Sequence, residues 1–207
     1  MATIRDFISK IGWKIDTTSQ AGRITGYKTD GSISPIYAVR NHYRASTAVA
    51  FAAAAGTAPF FAIQGSANKI VRIISVRFTG MTLTTVAYQT TIVQKRSTAT
   101  TGGTATALVQ VPNDSTHPAG TLSLLNVYTV APTAGTLVGT IGSSRFLAAD
   151  TTPTTLMTED HEILFYKDHE DGLVLRGITE GVTISFASAP ATAVTMALEI
   201  VWTEADT

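Results

Sequence analysis

Two Asp-His-Glu triplets form the only dense group of side chains in this sequence that could carry out chemistry. They stand on either side of a short apolar run and consist of Asp160, His161, Glu162 and Asp168, His169, Glu170. Carboxylates and imidazoles this close together can bind a divalent cation. Because the group contains only two histidines, Ca²⁺ is favoured over Zn²⁺. The alternative is that these residues flank a strand and remain in water. Because neither EF-hand spacing nor a His-Glu-x-x-His motif is present, we favour the alternative and expect no metal or other cofactor.

No set of residues in the sequence predicts catalysis. Carboxylate pairs such as Glu180 and Glu199 could serve glycoside hydrolysis, but any chain of this length contains such pairs. His117 belongs to an Asn-Asp-Ser-Thr-His-Pro stretch typical of a turn. Gly102 and Gly103 lack the lysine of a phosphate-binding loop and also indicate a turn. The sequence therefore predicts that the protein is not an enzyme.

A group of aromatic and basic residues is the best candidate for a contact with another protein, because tyrosine and arginine are enriched where proteins meet. It comprises Tyr37, Arg40, His42, Tyr43 and Arg44. Other aromatic residues, including Tyr88 and Trp202, could stack on sugar rings. A place in the core or at an interface is favoured for them, because aromatic side chains dominate burial.

The composition restricts the classes of partner. Charged residues make up 14% of the 207 residues, the formal net charge is zero, and cysteine is absent. Such a neutral chain has no field with which to bind nucleic acid, and no apolar run reaches the length needed to span a membrane. A net charge near zero favours self-association, which suits a protein that works in an assembly.

The composition and the spacing of apolar residues differ between two parts of the sequence. Residues 1–45 are enriched in basic side chains, carry apolar residues at helical spacing over 4–15, and contain an Asp-Gly turn signal within 26–32. We interpret this part as an extended N-terminal arm that docks on a partner and contains one hairpin. Residues 46–207 are predicted to form the folded domain.

Threonine-rich apolar runs separated by turn signals dominate the second part. The predicted strands are 49–53, 60–64, 70–78, 86–94, 105–111, 122–130, 136–141, 162–166, 173–176, 183–186 and 195–202. Within 70–78 apolar residues occupy both faces, which indicates burial between two layers or a β-bulge. The spacing of the runs predicts an all-β fold, a jelly-roll-like β-sandwich.

Several turn-like motifs give the chain a family resemblance. They are Lys95-Arg96-Ser97, Gly102-Gly103-Thr104, Val111-Pro112-Asn113-Asp114-Ser115 and Tyr128-Thr129. In this order they resemble a pattern in the minor structural proteins of tailed bacteriophages. The resemblance implies a β-sandwich virion protein that assembles as a symmetric oligomer and has no enzymatic site.

From the resemblance we expect a capsid decoration or head-fibre protein. Its partners would be the major capsid protein or other virion proteins and further copies of itself, as a trimer by analogy with such proteins. Its location would be the virion, on the capsid surface rather than the tail. The alternative function is a carbohydrate- or receptor-binding module at the tip of a tail or fibre.

Overall fold

A computed structural model describes residues 41–54, 56–83, 87–150, 161–165 and 172–206. The chain divides into two compact units, Met1–Arg40 and Asn41–Thr207. The segment with helical spacing and the Asp-Gly hairpin predicted for the arm lie outside the described residues. None of the described residues forms a helix long and apolar enough to cross a membrane.

The part of the chain that the structure describes consists of strands joined by turns and loops, without a helix. The described residues form thirteen strands: β1 Asn41–Ser46, β2 Phe51–Ala52, β3 Pro59–Gln64, β4 Lys69–Leu83, β5 Ala87–Arg96, β6 Thr104–Ala107, β7 Val111–Pro112, β8 Leu124–Val130, β9 Leu137–Asp150, β10 His161–Leu164, β11 Leu173–Arg176, β12 Gly181–Phe186 and β13 Thr195–Asp206. The predicted all-β class is confirmed.

The strands form two antiparallel sheets that pack on one another as a β-sandwich. In the first sheet β13 lies between β1 and β4, and β10 and β11 pair with the other edge of β4. In the second sheet the order is β3-β12-β5-β9. The chain crosses between the sheets several times, and β1 and β13 are neighbours in the first sheet.

An insertion between β5 and β9 enlarges both sheets. Strand β8 pairs with the free edge of β3, and β6 pairs in turn with β8, so that the second sheet gains two strands. Strand β7 adds a two-residue pairing to β1 in the first sheet. The turn before β6 contains Gly102 and Gly103, with φ angles of 70° and 75°, which confirms the turn predicted there.

A β-bulge in β4 explains why both faces of its sequence are apolar. The register with β13 shifts between Val201 and Trp202, which pair with Ser75 and Ile73 respectively, so that the intervening residue of β4 has no opposite partner. Val71 and Ile73 are buried before this point, and Val76 and Phe78 are buried after it. The inward face therefore moves from odd to even residues, which confirms the bulge as one of the two predicted explanations.

The core lies between the two sheets and contains most of the large apolar side chains. The ring of Phe60, on β3, lies 5.9 Å from the ring of Phe78 on β4 and 4.6 Å from the ring of Phe186 on β12. These contacts connect the facing sheets through aromatic side chains that are fully buried.

The folded domain begins earlier than the composition suggested. Strand β1 starts at Asn41 and pairs with β13 along its whole length, whereas residues up to 45 were predicted to belong to the arm. The basic residues of β1 concealed its alternation of buried and exposed side chains. Most of the predicted strands are present, but the run 105–111 forms two short strands, and 136–141 is the beginning of the much longer β9.

Candidate contact surface

The predicted aromatic and basic patch is divided by the structure. Tyr37 and Arg40 lie outside the described residues. His42 and Arg44 are exposed on β1, and the Arg44 guanidinium pairs with the Glu199 carboxylate at 3.2 Å. Of this patch, therefore, only two side chains are seen on the surface.

Tyr43 cannot act as a surface contact, because its side chain is only 1% exposed. It lies opposite Trp202 in the register of β1 and β13, and the two rings stack with centroids 5.6 Å apart. Alternation along a strand sends every second side chain into the core, and here that residue is the tyrosine. The assignment of Tyr43 to a contact patch is corrected to a place in the core.

The two Asp-His-Glu triplets are described only in part. His161 and Glu162 lie at the start of β10, and Asp160, Asp168, His169 and Glu170 lie outside the described residues. The His161 ring stacks on Phe146 at 5.9 Å. Among the described residues no group of three or more acidic, histidine or cysteine side chains could hold a metal ion.

The residues considered for catalysis have structural partners where the structure describes them. Glu180 lies 3.5 Å from the Lys95 ammonium and accepts a hydrogen bond from the Arg176 amide. His117 ends a turn in which its own amide donates to the Asp114 carbonyl. These contacts explain the residues as parts of loops and strand ends.

A surface that the sequence did not reveal lies on β5 and β9, at the edge of the second sheet. Tyr88 is 63% exposed, and the Arg145 guanidinium lies 4.6 Å from the centre of its ring. The register places Tyr88 opposite Leu147 and Thr90 opposite Arg145, so that Tyr88 and Arg145 are diagonal neighbours on the outer face. A cation over a tyrosine ring holds both side chains in place on the surface.

The first half of β9 continues this surface with apolar side chains. Leu137, Val138 and Ile141 are 49%, 61% and 42% exposed. Residues 137–144 include no charged side chain. Exposed apolar side chains grouped in this way are the kind of surface at which proteins make contacts.

The backbone of the same segment is paired on one side only. Residues 137–148 pair with β5 except Val138 and Ile141, which two register shifts leave without a partner, and in the parts of the chain that the structure describes no strand pairs with their other edge. Natural proteins usually protect such an edge with lysine, proline, a β-bulge or a covering loop. Here two register shifts, at Val138 and Ile141, coincide with exposed apolar side chains. We call residues 137–145 together with Tyr88 the β9 surface.

A second polar cluster, around Glu204, supports the fold rather than a site. The Glu204 side chain is only 3% exposed, and its carboxylate accepts hydrogen bonds from the Thr121 amide at 2.9 Å and from the Trp202 indole at 3.0 Å. The Thr121 hydroxyl donates to the same carboxylate at 2.8 Å. The hydrogen bonds of this cluster hold the loop before β8 against the end of β13.

Comparisons with known proteins leave these observations without a family context. No protein-family model matches the sequence, and no curated protein matches it.

Proposed function

We propose that this chain is a structural protein of the virion of a tailed bacteriophage. In this proposal it is a capsid decoration or head-fibre protein that binds the shell and stabilises it through contacts between several copies. Its partners are the major capsid protein, or other virion proteins, and further copies of itself. It has no catalytic role.

The observation that carries the proposal is the β9 surface. Exposed apolar side chains on the uncharged stretch 137–144 are costly for a protein that works alone, because they invite association. In an assembly the same strand is covered. A neutral chain folded as a β-sandwich suits a part that is held in place by shape and buried area rather than by charge.

In this proposal the N-terminal part of the chain makes the contact with the shell. Basic side chains at Arg5, Lys10, Lys14, Arg23 and Lys28 precede β1. The exposed His42 and Arg44 follow them on the first strand of the sandwich. Shell binding would then depend on residues that are separate from the sandwich core.

Deletion of residues 1–40 tests this division. The truncation ends there because β1 begins at Asn41, and removal of residues up to 45 would take Tyr43 out of the core. The truncated chain should keep cooperative thermal unfolding and the circular dichroism of a β protein, but should no longer sediment with capsids that lack the protein. Full capsid binding by a folded truncated chain would refute the assignment of the shell contact.

One observation favours a second function, a carbohydrate- or receptor-binding module at a tail or fibre tip. The exposed ring of Tyr88 is held by Arg145 in a position where a sugar ring could stack on it. This function predicts glycan binding that is lost in Tyr88→Ala. A glycan array without signal, both with and without Ca²⁺, would contradict it.

A further inference from the structure

We infer that the outer face of the second sheet binds one small oxyanion, held between the Arg96 guanidinium on β5 and the Gln64 side-chain amide on β3. The ligand class is sulfate, phosphate or a carboxylate, which share acceptor oxygens and a negative charge. The inference goes beyond the proposed function and does not rest on it, because such a site fits a virion protein and a receptor-binding module equally. We name it the β12 site, after the strand over which its residues meet: Gln64, Gln94, Arg96, Thr183 and Ser185.

Strand β12 is buried on both faces, and the face away from the core is polar. The Phe186 ring marks the core face, since it lies against the ring of Phe60. The alternate residues therefore lie on the opposite face; they are Gly181, Thr183 and Ser185. Gly181 lies opposite Gln64 on β3 and opposite Arg96 on β5. Directly opposite residues share a face, so these three form one row across the sheet.

The two long side chains of this row extend over β12 from either side. The Arg96 Nε donates a hydrogen bond to the Thr183 hydroxyl at 3.0 Å, so the guanidinium leans across from β5. The Gln64 Cγ lies 3.1 Å from the point where a Cβ on Gly181 would be, so the amide leans across from β3. Two strand spacings separate their backbones by about 10 Å, and both side chains extend into this gap. The absence of a side chain at Gly181 makes this approach possible.

The Arg96 guanidinium is buried without a negative partner among the described residues. It is only 9% exposed, and its acceptors are neutral: the Thr183 hydroxyl, the Gly135 carbonyl and the Gln94 side-chain oxygen. These bonds use three of the five N–H donors of a guanidinium. The carboxylate beside Gly181 in the chain, that of Glu180, pairs instead with the Lys95 ammonium. Burial lowers the pKa of Arg96, which reflects the cost of a buried charge that nothing compensates.

Other polar atoms of the β12 site also lack partners. The Gln64 Nε2 and the Ser185 Oγ are both buried, and neither has a hydrogen-bond partner. Such groups are rare in folded proteins because each costs free energy. An oxyanion supplies acceptor oxygens to the amide and the guanidinium together, and it neutralises the charge. A water molecule would supply acceptors but leave the charge of Arg96 uncompensated, and a cation would be repelled by it.

The site is reached from the side of β5. Gln94 shares a face with Arg96 and is only partly buried. Leu137, which lies opposite Arg96 on β9, is 49% exposed. An ion therefore enters beside the guanidinium rather than through the core of the sandwich.

The experiment is isothermal titration calorimetry of the full chain with sodium sulfate, phosphate and formate, at constant ionic strength set with sodium chloride. Wild type should bind one anion per chain, and the anion with the lowest dissociation constant identifies the class. A hydrogen bond to a charged group corresponds to about 10–100-fold in affinity. Gln64→Met should therefore raise the dissociation constant about 10-fold, and Arg96→Met at least about 100-fold. Arg176→Met, at an exposed arginine on β11, should bind as wild type does.

Thermal unfolding in the same salts gives a second readout, which keeps the test valid if Arg96→Met folds poorly. Sulfate and phosphate raise the Tm of most proteins by exclusion from their surface, without saturation. Wild type should show an additional rise in Tm that saturates with anion concentration. Gln64→Met retains the guanidinium and its three hydrogen bonds, and it should need about 10-fold more anion to reach the same plateau.

Three results would overturn the inference. The first is a wild-type chain that binds none of the three anions saturably, which would mean that water or a rotated Gln64 amide serves the guanidinium. The second is a loss of binding in Arg176→Met as large as in Arg96→Met, and the third is unchanged binding in Gln64→Met. A chain found on heads that binds no anion would refute only this site, whereas an anion-binding chain absent from particles would refute only the proposed function.

Discussion

Replacement of Glu204 by alanine should strongly destabilise the sandwich, although its buried side chain belongs to none of the proposed contacts. The carboxylate is buried at the end of β13, where its oxygens accept hydrogen bonds from the Thr121 amide, the Thr121 hydroxyl and the Trp202 indole. Alanine removes the acceptor and leaves the Thr121 amide and the Trp202 indole without this partner, whereas the Thr121 hydroxyl still lies 2.7 Å from the Ser66 hydroxyl. The loop before β8 would then be released from the sheet.

The magnitude follows from the number of donors left behind. A hydrogen bond to a charged group contributes about 1.5–3 kcal/mol, so two N–H donors correspond to about 3–6 kcal/mol. Relief of the cost of burying a carboxylate offsets part of this loss. We therefore expect Glu204→Ala to lower the free energy of unfolding by about 3 kcal/mol, and to lower the Tm by roughly 6–12 °C.

Urea denaturation followed by tryptophan fluorescence measures this effect, with two comparisons. Glu204→Gln keeps the volume but turns one acceptor into a donor, and it should cost about 1–3 kcal/mol. Glu199→Ala removes a carboxylate whose pair with Arg44 is partly exposed, and it should cost less than about 1 kcal/mol. If Glu204→Ala were no more destabilising than Glu199→Ala, the Glu204 cluster would not hold the loop as described.

Three further predictions concern the core, a turn and a titrating side chain. Tyr43→Ala should lower the free energy of unfolding by about 3–5 kcal/mol because its ring is buried and stacked, whereas Tyr88→Ala should change it by less than about 1 kcal/mol. A loss in urea denaturation for Tyr43→Ala as small as that for Tyr88→Ala would contradict the burial of the Tyr43 ring. Gly102→Ala introduces only the strain of a positive φ, whereas Gly103→Ala also places Cβ 2.7 Å from a carbonyl oxygen of β8. Gly103→Ala should therefore lower the free energy of unfolding by about 1–3 kcal/mol more than Gly102→Ala does in the same assay. Equal losses would contradict the turn geometry. The pKa of Asp114 is lowered by hydrogen bonds from the backbone N–H and then the hydroxyl of the threonine two residues later. Its contribution to stability should be complete above about pH 4 and be lost as the pH falls through the folded-state pKa; an NMR titration that gives an ordinary or raised pKa would contradict this.

The sequence predicted the fold well because its signals are local. Apolar alternation and turn residues identified most strands, and the two apolar faces of 70–78 indicated the β-bulge that β4 contains. The N-terminal boundary was predicted wrongly by composition. In β1 exposed basic residues alternate with Tyr43 and Ala45, and the strand becomes recognisable only through its pairing with β13.

The surfaces were harder to predict, because exposure depends on which strands become edges. Tyr43 and Tyr88 both stand in strands of mixed polarity, yet one ring is buried and the other is exposed. Only the strand pairing shows that most of β9 has β5 as its one described neighbour, since β4 pairs with its last two residues alone, and that Tyr88 lies beside it. Glu204 gave no signal either, since the donors that hold it come partly from Thr121, 83 residues away in the sequence.

The central claim, a structural role in the virion, is tested most directly by quantitative mass spectrometry of purified phage particles separated into heads and tails. The account predicts that the chain is present on heads in hundreds of copies, in a fixed ratio to the major capsid protein. A few copies found only on tails would contradict the decoration role and support the receptor-binding function. Absence from both fractions would contradict a virion role altogether.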